Sequence, residues 1–536
     1  MLKLGKWTTG MLGTTTLAGC VLLAWSCKDD TDEETNVEQI QPGQTPQQKL
    51  AIGLGGQQDL DALKGLAIQG DGTRHIPHEG EHPTDPPAQA NHFDRTVSVD
   101  FPGDSLRVDT NRTVEILFPG MTSYTDVVNG QLGASTEPFF GTPLGALSSD
   151  KAAAIHRQEL LLTPHMLWKS LTPASLKTAA DVLVDGVAHH QLVDSSGPAP
   201  LTLFVNTQTG QLTKLQTMEH DFYLRDVPLE VDFSDWAPAG NIDFPRKLKL
   251  VRDGLTLFEE TVSDVQVNPT FTADTFQFPG GATPVLDQPL FDRGELSHQW
   301  YFLLDSLGLP FTGVDVAITP RQIEPGVVQL MGGSHHSFVV EQANGLVLVD
   351  APLHQDRGHA LSEYLAKTFP GKPLTHVVAS HFHEDHVSGI RQVLAENPSA
   401  QLVIHESSQA AWREILSRPS TLHPDALATT PRDVSIVTVP DNGELTLADA
   451  THPLTLYPLD SEHAADLLFA HEESSNTVFV VDAYSPGNPV QLNADDFAAS
   501  LLAHAIPTAN LHIVGGHGGE MHDFSQLQAQ LPAAVP

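Results

Sequence analysis

Cysteine is nearly absent from this chain of 536 residues, which contains only Cys20 and Cys27, both close to the N-terminus. The rest of the sequence therefore has no internal disulfide bond and no thiolate that could hold a metal ion. Any metal bound there must be coordinated by histidine and carboxylate side chains.

Basic residues are also scarce: 28 lysines and arginines stand against 66 aspartates and glutamates, which gives a formal net charge of −38. Proteins that bind nucleic acid cluster lysine and arginine against the phosphate backbone. We therefore expect no nucleic-acid partner. The acidity favours a solubility or salt-adapted surface over an acidic docking site.

Long apolar runs are missing beyond the first residues, so we expect no later segment to span a bilayer. The one apolar, charge-free run extends from Trp7 to Ser26, follows Lys3 and Lys6, and ends abruptly at Lys28. A positive start followed by an apolar run is typical of an export signal. We assign residues 1–27 to such a signal.

Either cysteine of this signal could carry a lipid. The segment Leu17-Ala18-Gly19-Cys20 resembles the bacterial lipobox, whereas Cys27 is the one followed by a charged stretch. The sequence leaves both open, and a plain secretory signal or a single anchoring helix is the alternative. We expect the protein on the periplasmic side of the bacterial cell envelope, touching the membrane through a lipid anchor, or else secreted.

Composition divides the remaining chain into three segments. Residues 28–50 are polar and predict a disordered tether. Residues 51–285 read mostly as strands and turns. Residues 286–536, beyond a boundary rich in glycine and proline, read as alternating short strands and helices.

Within the β-rich segment we predict helices at Leu60–Leu66 and Lys151–Leu162. The stretch Thr73–Asn91 contains several histidines, but their spacing is irregular and interrupted by proline. We interpret it as an exposed loop rather than a metal site. The histidines in and beside it are His75, His78, His82 and His92.

Part of the β-rich segment resembles the outer-membrane lipoprotein-sorting (LolA-like) half-barrel. The resemblance rests on Leu201–Gly210 with Leu212–Leu215, which follow its pattern of strand, Asn-x-x-Thr-Gly and strand, and on the ending Val265–Pro279. It implies a curved antiparallel sheet over a helix, with an apolar groove. A scaffold without a ligand of its own is the alternative.

The last segment follows an α/β pattern, in which helices pack outside sheets. Leu361, Leu365 and Phe369 recur every fourth residue, as on the buried face of a helix. The predicted elements are strand Leu346–Val349, helix Gly358–Phe369, strand His376–Ala379, helix Val387–Asn397 and strand Gln401–Ile404.

One turn in this segment concentrates the chemistry. Ser380–Gly389 contains His381, His383, Asp385 and His386 between an apolar strand and an amphipathic helix. Alternation along an extended chain places the first two histidines on one side. Buried imidazoles and carboxylates need partners, so four at this spacing indicate a metal site rather than packing.

This His-x-His-x-Asp-His pattern is the signature of the metallo-β-lactamase superfamily, which residues 320 to 525 resemble as a whole. The resemblance implies an α+β protein with a C-terminal αββα metallo-β-lactamase sandwich, preceded by the antiparallel β-rich half-barrel. It also implies a supporting aspartate at Asp350, which ends the strand upstream of the motif.

Carried over by position, the resemblance implies seven metal ligands. His381, His383 and His463 would bind one ion, Asp385, His386 and His517 the other, and Asp482 would bridge both. His471 is a rival to His463. An all-histidine and aspartate set suits two Zn²⁺ ions per chain, with Fe or Mn as possible substitutes. Asp385 would also act in catalysis, by orienting the nucleophile and passing a proton.

Other residues fall near the site by the same analogy. His335 or His336 would touch substrate or be plain loop residues, and Arg357 would bind an anion or lie at the surface where a helix starts. We expect His522 to be exposed. His354, Tyr484 and Ser485 follow strand ends on the same side.

The resemblance implies an exported two-metal hydrolase, in which a metal-bridged hydroxide cleaves an ester, thioester, lactone or amide bond of a small molecule. The cysteine-free ligand set with Asp482 looks closer to glyoxalase II and lactonases than to true β-lactamases. The alternative is a lipid- or lipoprotein-binding envelope protein with a non-catalytic metal platform. A third possibility, a half-barrel that presents an apolar substrate, predicts that deleting residues 28–285 raises KM for long-chain substrates only.

Overall fold

A computed structural model describes residues 39–115, 120–139, 142–172, 175–292, 298–299, 302–303, 316–488 and 493–531. The export signal predicted at 1–27 and both cysteines lie outside these residues. Within the described part, no helix combines the length and the apolar character needed to cross a membrane.

The first half of the described chain builds one antiparallel sheet. Its strands lie in the order β6-β5-β4-β3-β2-β1-β14-β13-β12-β11-β10-β9-β7, and β8 pairs with β9. The two halves of the meander therefore meet where β1 pairs with β14. The strands are β1 (Gly65–Ile76), β2 (Ala88–Asp100), β3 (Ser105–Val114), β4 (Gly120–Asn129), β5 (Leu132–Phe139), β6 (Thr142–Ala146), β7 (Leu176–Thr178), β8 (Val182–Val184), β9 (Val187–Asp194), β10 (Leu201–Asn206), β11 (Leu212–Asp221), β12 (Arg225–Ala239), β13 (Ile242–Arg252) and β14 (Leu255–Val267).

One face of this sheet packs against a helix, and strand β3 shows why. Every second residue of β3, from Leu106 to Val114, is buried, as the period of two requires. A Cβ at Gly133 would lie 2.8 Å from the Ala152 Cβ, so only glycine permits this close approach of helix and sheet. The helices of this half are α1 (Pro46–Gly53), α2 (Gln57–Ala62), α3 (Ser149–Leu162), α4 (Pro164–Ser170) and α5 (Gln288–Phe291).

Buried ion pairs lie between α3 and the sheet. The Arg95 guanidinium contacts Glu159 of α3 at 2.6 Å and Glu260 of β14 at 2.8 Å, and all three side chains are at most 3% exposed. Buried charges are tolerated when paired in this way. They occupy part of the space in which the half-barrel resemblance implied an apolar groove, and that resemblance stays a prediction.

The second half forms two sheets. The first has the order β15-β16-β17-β18-β19-β20-β21, parallel from β18 onward, and the second runs β22-β23-β24-β25-β26-β27. The strands are β15 (Thr319–Glu324), β16 (Val327–Met331), β17 (Ser337–Gln342), β18 (Gly345–Val349), β19 (Leu374–Val378), β20 (Gln401–His405), β21 (Ile436–Val439), β22 (Leu445–Leu447), β23 (Leu454–Pro458), β24 (Leu468–Glu472), β25 (Thr477–Val480), β26 (His512–Gly515) and β27 (Met521–His522). The helices are α6 (Gln355–Thr368), α7 (Glu384–Val387), α8 (Ile390–Glu396), α9 (Gln409–Ser417), α10 (Ala426–Thr429), α11 (Ala494–Ala503) and α12 (Phe524–Gln530).

The two sheets face each other and helices cover their outer sides. Val347 and Val349 of β18 join the core between the sheets, whereas Leu346 and Leu348 join the cluster that contains the apolar residues of α6 and α8. The Phe338 and Phe479 rings stack across the gap, 5.5 Å apart. The αββα layering expected from the sequence is confirmed.

Several helices begin or end at other residues than the sequence predicted. The helix predicted at 60–66 is wrong in its second half, because β1 begins at Gly65 and α2 ends at Ala62. The helix predicted at 387–397 is divided into α7 and α8 around Gly389, where a Cβ would lie 2.8 Å from the Ala351 carbonyl oxygen.

The tether predicted at 28–50 is too long at its C-terminal end. The α1 helix already begins at Pro46, since the Thr45 side chain caps it, and it buries Leu50. The exposed loop predicted at 73–91 is also wrong in part, because only residues 77–87 lie between β1 and β2.

The large sheet packs directly on the turn that carries the histidine motif. The Tyr223 hydroxyl donates a hydrogen bond to the Phe382 carbonyl oxygen at 2.8 Å, and both residues are buried. Arg418 pairs with Asp253 at 2.6 Å, and the Arg225 and Asp425 side chains approach to 3.5 Å. Residues 38–536 accordingly pack as one unit.

Candidate metal centre

A buried aspartate, Asp350, supports the turn that carries the histidine motif. Strand β19 ends at Val378, and the chain bends at residues 380–382 before α7 begins at Glu384. The Asp350 carboxylate accepts a hydrogen bond from the Ser380 backbone N–H at 2.8 Å. Asp350 has a φ of 60° and is fully buried, so it supports the turn from beneath, as its position after β18 predicted.

Asp482 is the point where the histidines converge. It follows β25 with a φ of 50°, in the left-handed region. This backbone conformation directs its carboxylate towards the histidines. Its Oδ2 lies 3.0 Å from His386 Nε2 and 3.2 Å from the Nε2 atoms of both His381 and His463. Its Oδ1 lies 3.0 Å from His517 Nε2.

The structure brings all seven residues predicted as ligands into two adjoining groups. Within each group the donor atoms lie within 4.8 Å of one another. His335, which was predicted only as a substrate contact or a loop residue, joins the second group. His471, the rival to His463, instead bonds to Asn476 beside β24 and belongs to neither group. The groups are His381, His383, His463 and Asp482, and His335, Asp385, His386 and His517.

Hydrogen bonds determine which ring nitrogen of His383 and of His517 carries the proton and which one faces the other donor atoms. The Nε2 of His383 lies 2.8 Å from the Gly80 carbonyl oxygen, and the Nδ1 of His517 lies 2.9 Å from the Ser334 carbonyl oxygen. A carbonyl oxygen can only accept, so these nitrogens carry the protons and the opposite ones carry lone pairs. Such fixed tautomers are typical of metal-ligating histidines.

The donor set fits a metal ion. A nitrogen and an oxygen ligand, each about 2.0–2.1 Å from a tetrahedral Zn²⁺, lie roughly 3.3 Å apart, close to the 3.0–3.2 Å between the histidine nitrogens and the Asp482 oxygens. Two buried donor atoms also have no hydrogen-bond partner: His383 Nδ1 and Asp385 Oδ1. Buried polar atoms without partners are rare in folded proteins, and a metal ion supplies what these lack.

Charges at the centre are strongly coupled. Burial by itself would raise the pKa of Asp482, but the imidazoles of His386, His463 and His517 outweigh it and hold that pKa well below its ordinary value. Burial would likewise lower the pKa of His386, which the carboxylates of Asp482 and Asp385 instead raise well above its ordinary value. Carboxylates that attract positive charge this strongly favour a divalent cation.

His335 holds the carboxylate of Asp385. Its Nε2 lies 2.8 Å from Asp385 Oδ2, and its Nδ1 lies 2.7 Å from the Ser334 hydroxyl. Burial, with the neighbouring His517, lowers the pKa of His335 to about 3, so the ring is neutral and donates from Nε2. It therefore fixes the direction of the other carboxylate oxygen, Oδ1.

The His335→Gln variant tests this role. Without the imidazole Asp385 is free to rotate, so we expect turnover to fall about 10–100-fold while the metal content stays unchanged. Steady-state kinetics and elemental analysis of the same preparation measure both quantities. A loss of one metal ion would show instead that His335 is itself a ligand.

Two neighbouring residues, Arg357 and His522, differ from expectation. Arg357 is neither exposed nor an anion site, because it is fully buried and donates to the Ala317 carbonyl oxygen. His522 is also buried, since its Nδ1 contacts the Tyr484 hydroxyl at 2.6 Å and its Nε2 contacts Glu520 at 3.0 Å. His354 accepts the Arg357 N–H and caps α6.

Two other predicted neighbours of the site are also buried. His336 bonds to the Gly518 carbonyl oxygen at 3.0 Å, next to the loop that carries His517. Ser485 is buried beyond the end of β25. A cavity of about 980 Å³ lies beside α9 and α10, and its lining contains no member of the two donor groups.

Sequence reasoning missed the contribution of the large sheet. Residues 77–87 reach the centre: Gly80 accepts from His383, and the Glu79 carboxylate lies 3.7 Å from His383 Nδ1. Burial, with the negative charges of Asp385 and Glu384, raises the pKa of Glu79 well above its ordinary value. The acidic and histidine-rich composition of this stretch was the available signal, but it does not specify a partner.

The comparisons with known proteins agree on the second half of the chain. Residues 330–530 match the family model described as the metallo-beta-lactamase superfamily. No curated protein matches the sequence.

Three of the solved structures similar to this chain share 15–18% identity with it, each at a TM-score of 0.30. A metallo-beta-lactamase from Pontibacter korlensis is 18% identical over 40% of this chain and 96% of its own. One from Hirschia baltica is 15% identical over 40% and 95%. An inverting sec-alkylsulfatase from Pseudomonas sp. is 15% identical over 43% of this chain and 42% of its own.

Proposed function

We propose that the metallo-β-lactamase domain at residues 330–530 makes this chain a hydrolase that uses two divalent ions, Zn²⁺ in the first instance. The observation that carries the proposal is the pair of donor groups that meet at Asp482. The ring nitrogens and carboxylates of seven predicted residues converge there, and their chemistry suits Zn²⁺, Fe or Mn.

Two divalent ions in such a site activate water, polarise the bond to be cleaved and stabilise the charge that develops on the oxygens. The chain's own residues arrange the rest. Asp385 Oδ1 is buried without a partner while Oδ2 is held by His335, so Asp385 is placed to accept a proton from the attacking water and pass it to the leaving group. Asp350 keeps the motif turn in position.

The substrate class we propose is a small molecule with an ester, thioester, lactone or amide bond. Supporting this choice, the ligand set contains aspartate at position 482 and no cysteine, as in the glyoxalase II and lactonase branches rather than the cysteine-containing β-lactamases. The net charge of −38 argues against nucleic-acid substrates. The signal-like N-terminus supports export and a lipid anchor at Cys20 or Cys27, facing the periplasm.

The alternative, a lipid- or lipoprotein-binding protein with an inert metal platform, has less support. A platform does not need an oriented carboxylate such as Asp385, and the space between α3 and the sheet holds the buried charges of Arg95, Glu159 and Glu260. Burying an acyl chain next to them would expose those charges to an apolar ligand.

A hydrolysis panel tests the proposal. The metal-loaded chain lacking residues 1–27 is offered a thioester, lactones of several chain lengths, a phosphodiester, a β-lactam and an alkyl sulfate. We expect turnover of a carbonyl substrate, and a fall of about 10²–10⁴-fold in Asp385→Asn, because general acid–base catalysis contributes that much.

A matched control is His471→Gln, since His471 lies in the same domain but outside both donor groups. It should keep wild-type activity and metal content. Two bound ions without turnover of any substrate would contradict the hydrolase. Absence of bound metal would leave only the binding protein.

A further inference from the structure

Residues 77–87, here named the β1–β2 loop, join two strands of the large sheet but end at the metal centre of the other domain. Strands β1 and β2 pair as far as Ile76 with Ala88, so the loop is the tip of a long hairpin. The Gly80 carbonyl oxygen accepts a hydrogen bond from His383 Nε2, and the Glu81 carbonyl oxygen accepts one from the Ala465 N–H, both at 2.8 Å. The loop is thus attached to both segments that carry the histidines of the first donor group.

The backbone of the β1–β2 loop is constrained on both sides of Glu79. His78 has a φ of 58°, an uncommon conformation for a residue other than glycine, and its ring packs 5.4 Å from the Tyr223 ring. A Cβ at Gly80 would lie 2.8 Å from the Asp85 Cβ, so glycine is required there. Strained conformations persist where the surroundings enforce them and are found at functional sites. Glu79 lies between these two constrained positions.

The Glu79 carboxylate is mostly buried and has no basic side chain paired with it among the described residues. Its side chain is 14% exposed, and Oε2 lies 3.7 Å from His383 Nδ1, too far for a hydrogen bond. Among the described residues, no lysine or arginine forms an ion pair with it. The carboxylates of Asp385, Glu384 and Asp482 repel it, and the His386 imidazole attracts it. A buried charge is normally paired or coordinates a metal.

Glu79 also completes a third set of donors. The donor atoms of Glu79, His383 and Asp385 lie within 4.8 Å of one another, and those of the latter two include His383 Nδ1 and Asp385 Oδ1, which are buried without partners. The set shares one residue with each of the two donor groups. A carboxylate in this position can bind a cation that the histidines hold.

We propose that Glu79 is an additional metal ligand, supplied by the large-sheet domain to the ion held by His381, His383 and His463. This inference rests on the proposed function, because it needs a metal in the C-terminal domain. It makes the two domains one binding unit: the Gly80 carbonyl orients His383, and the Glu79 carboxylate would add one ligand to those of the C-terminal domain. Metal binding and domain contact then stabilise each other.

Cobalt(II) titration of the full chain tests the proposal, with Glu79→Gln compared to Glu81→Gln. The control changes the same residue type two positions along the loop, where the side chain is 52% exposed. Competition with a coloured chelator gives each dissociation constant, and the visible absorption of bound Co²⁺ reports its ligands. We expect wild type and Glu81→Gln to bind two ions alike. In Glu79→Gln one ion should bind about 10–100-fold more weakly, with an altered spectrum.

Each other outcome decides against the inference. Wild-type affinity and an unchanged spectrum in Glu79→Gln would overturn it while leaving the hydrolase proposal intact. The metal-free variant should unfold at or above the wild-type temperature, since an amide avoids the repulsion between Glu79 and the carboxylates of Asp385 and Glu384. A lower temperature would show that protein contacts hold Glu79. If wild type itself binds no Co²⁺, the proposed function fails as well.

Discussion

The Asp482→Asn variant is expected to lose at least one of two bound metal ions and to turn over substrate at least about 10³-fold more slowly. Asp482 contacts four histidines from both donor groups, at 3.0–3.2 Å. The asparagine amide has the same shape as the aspartate carboxylate. It lacks the negative charge that attracts cations to the four histidine rings. Each metal contributes several kcal/mol to the transition state, and every 1.4 kcal/mol corresponds to a factor of ten.

Elemental analysis and steady-state kinetics of one preparation measure this effect. Asp441→Asn is a suitable control, because its carboxylate is 63% exposed and outside both donor groups. Unfolding temperatures of the metal-free proteins distinguish a local loss of metal binding from misfolding of the variant. A variant that keeps two ions and normal turnover would exclude Asp482 as the shared ligand.

Removing residues 1–285 is expected to abolish metal binding and turnover together, for every substrate. The deletion removes the Gly80 carbonyl that fixes His383 and the Tyr223 hydroxyl that bonds to Phe382. It also cuts through one continuous apolar cluster, which joins Leu224 of this domain to Leu361 and Ile390 of α6 and α8. Exposed core surface destabilises a domain by about 25 cal/mol for each Å².

The half-barrel that only presents an apolar substrate makes the opposite prediction. In that case the deletion raises KM for long-chain substrates and leaves short ones and the metal content unchanged. Metal titration and kinetics on short- and long-chain esters compare the two cases. The matched control is the chain lacking residues 1–38, which keeps all the contacts described here and should behave as wild type. A soluble fragment 286–536 with two ions would refute the expected loss.

The His-x-His-x-Asp-His turn shows what local sequence can predict. Its spacing depends on one strand, one turn and one helix, and these follow from apolar patterning over about ten residues. Asp482 and His517 follow strands and His463 lies in the loop before β24, but only the family resemblance assigned the three to a metal. The same resemblance implied the αββα layers, whereas the residues themselves indicated helices packed outside sheets, as Val347 and Leu348 on opposite faces of β18 illustrate.

The contacts of Glu79 and His335 show what the local sequence cannot predict. His383 and Gly80 are 303 residues apart, and His335 and Asp385 are 50 apart, so no local period connects them. Their meeting depends on how one domain packs on another and how two loops approach. Arg357 and His522 looked exposed for the same reason, since partners distant in sequence bury them.

The sequence by itself therefore determined the type of metal site and the layers that carry it, because both are set by residue type and short-range periodicity. Only the tertiary structure decided that a hairpin of the large sheet enters the centre and that His335 holds Asp385. Burial, desolvation and hydrogen-bond partners are properties of the packed chain, and they arise from contacts between residues hundreds of positions apart.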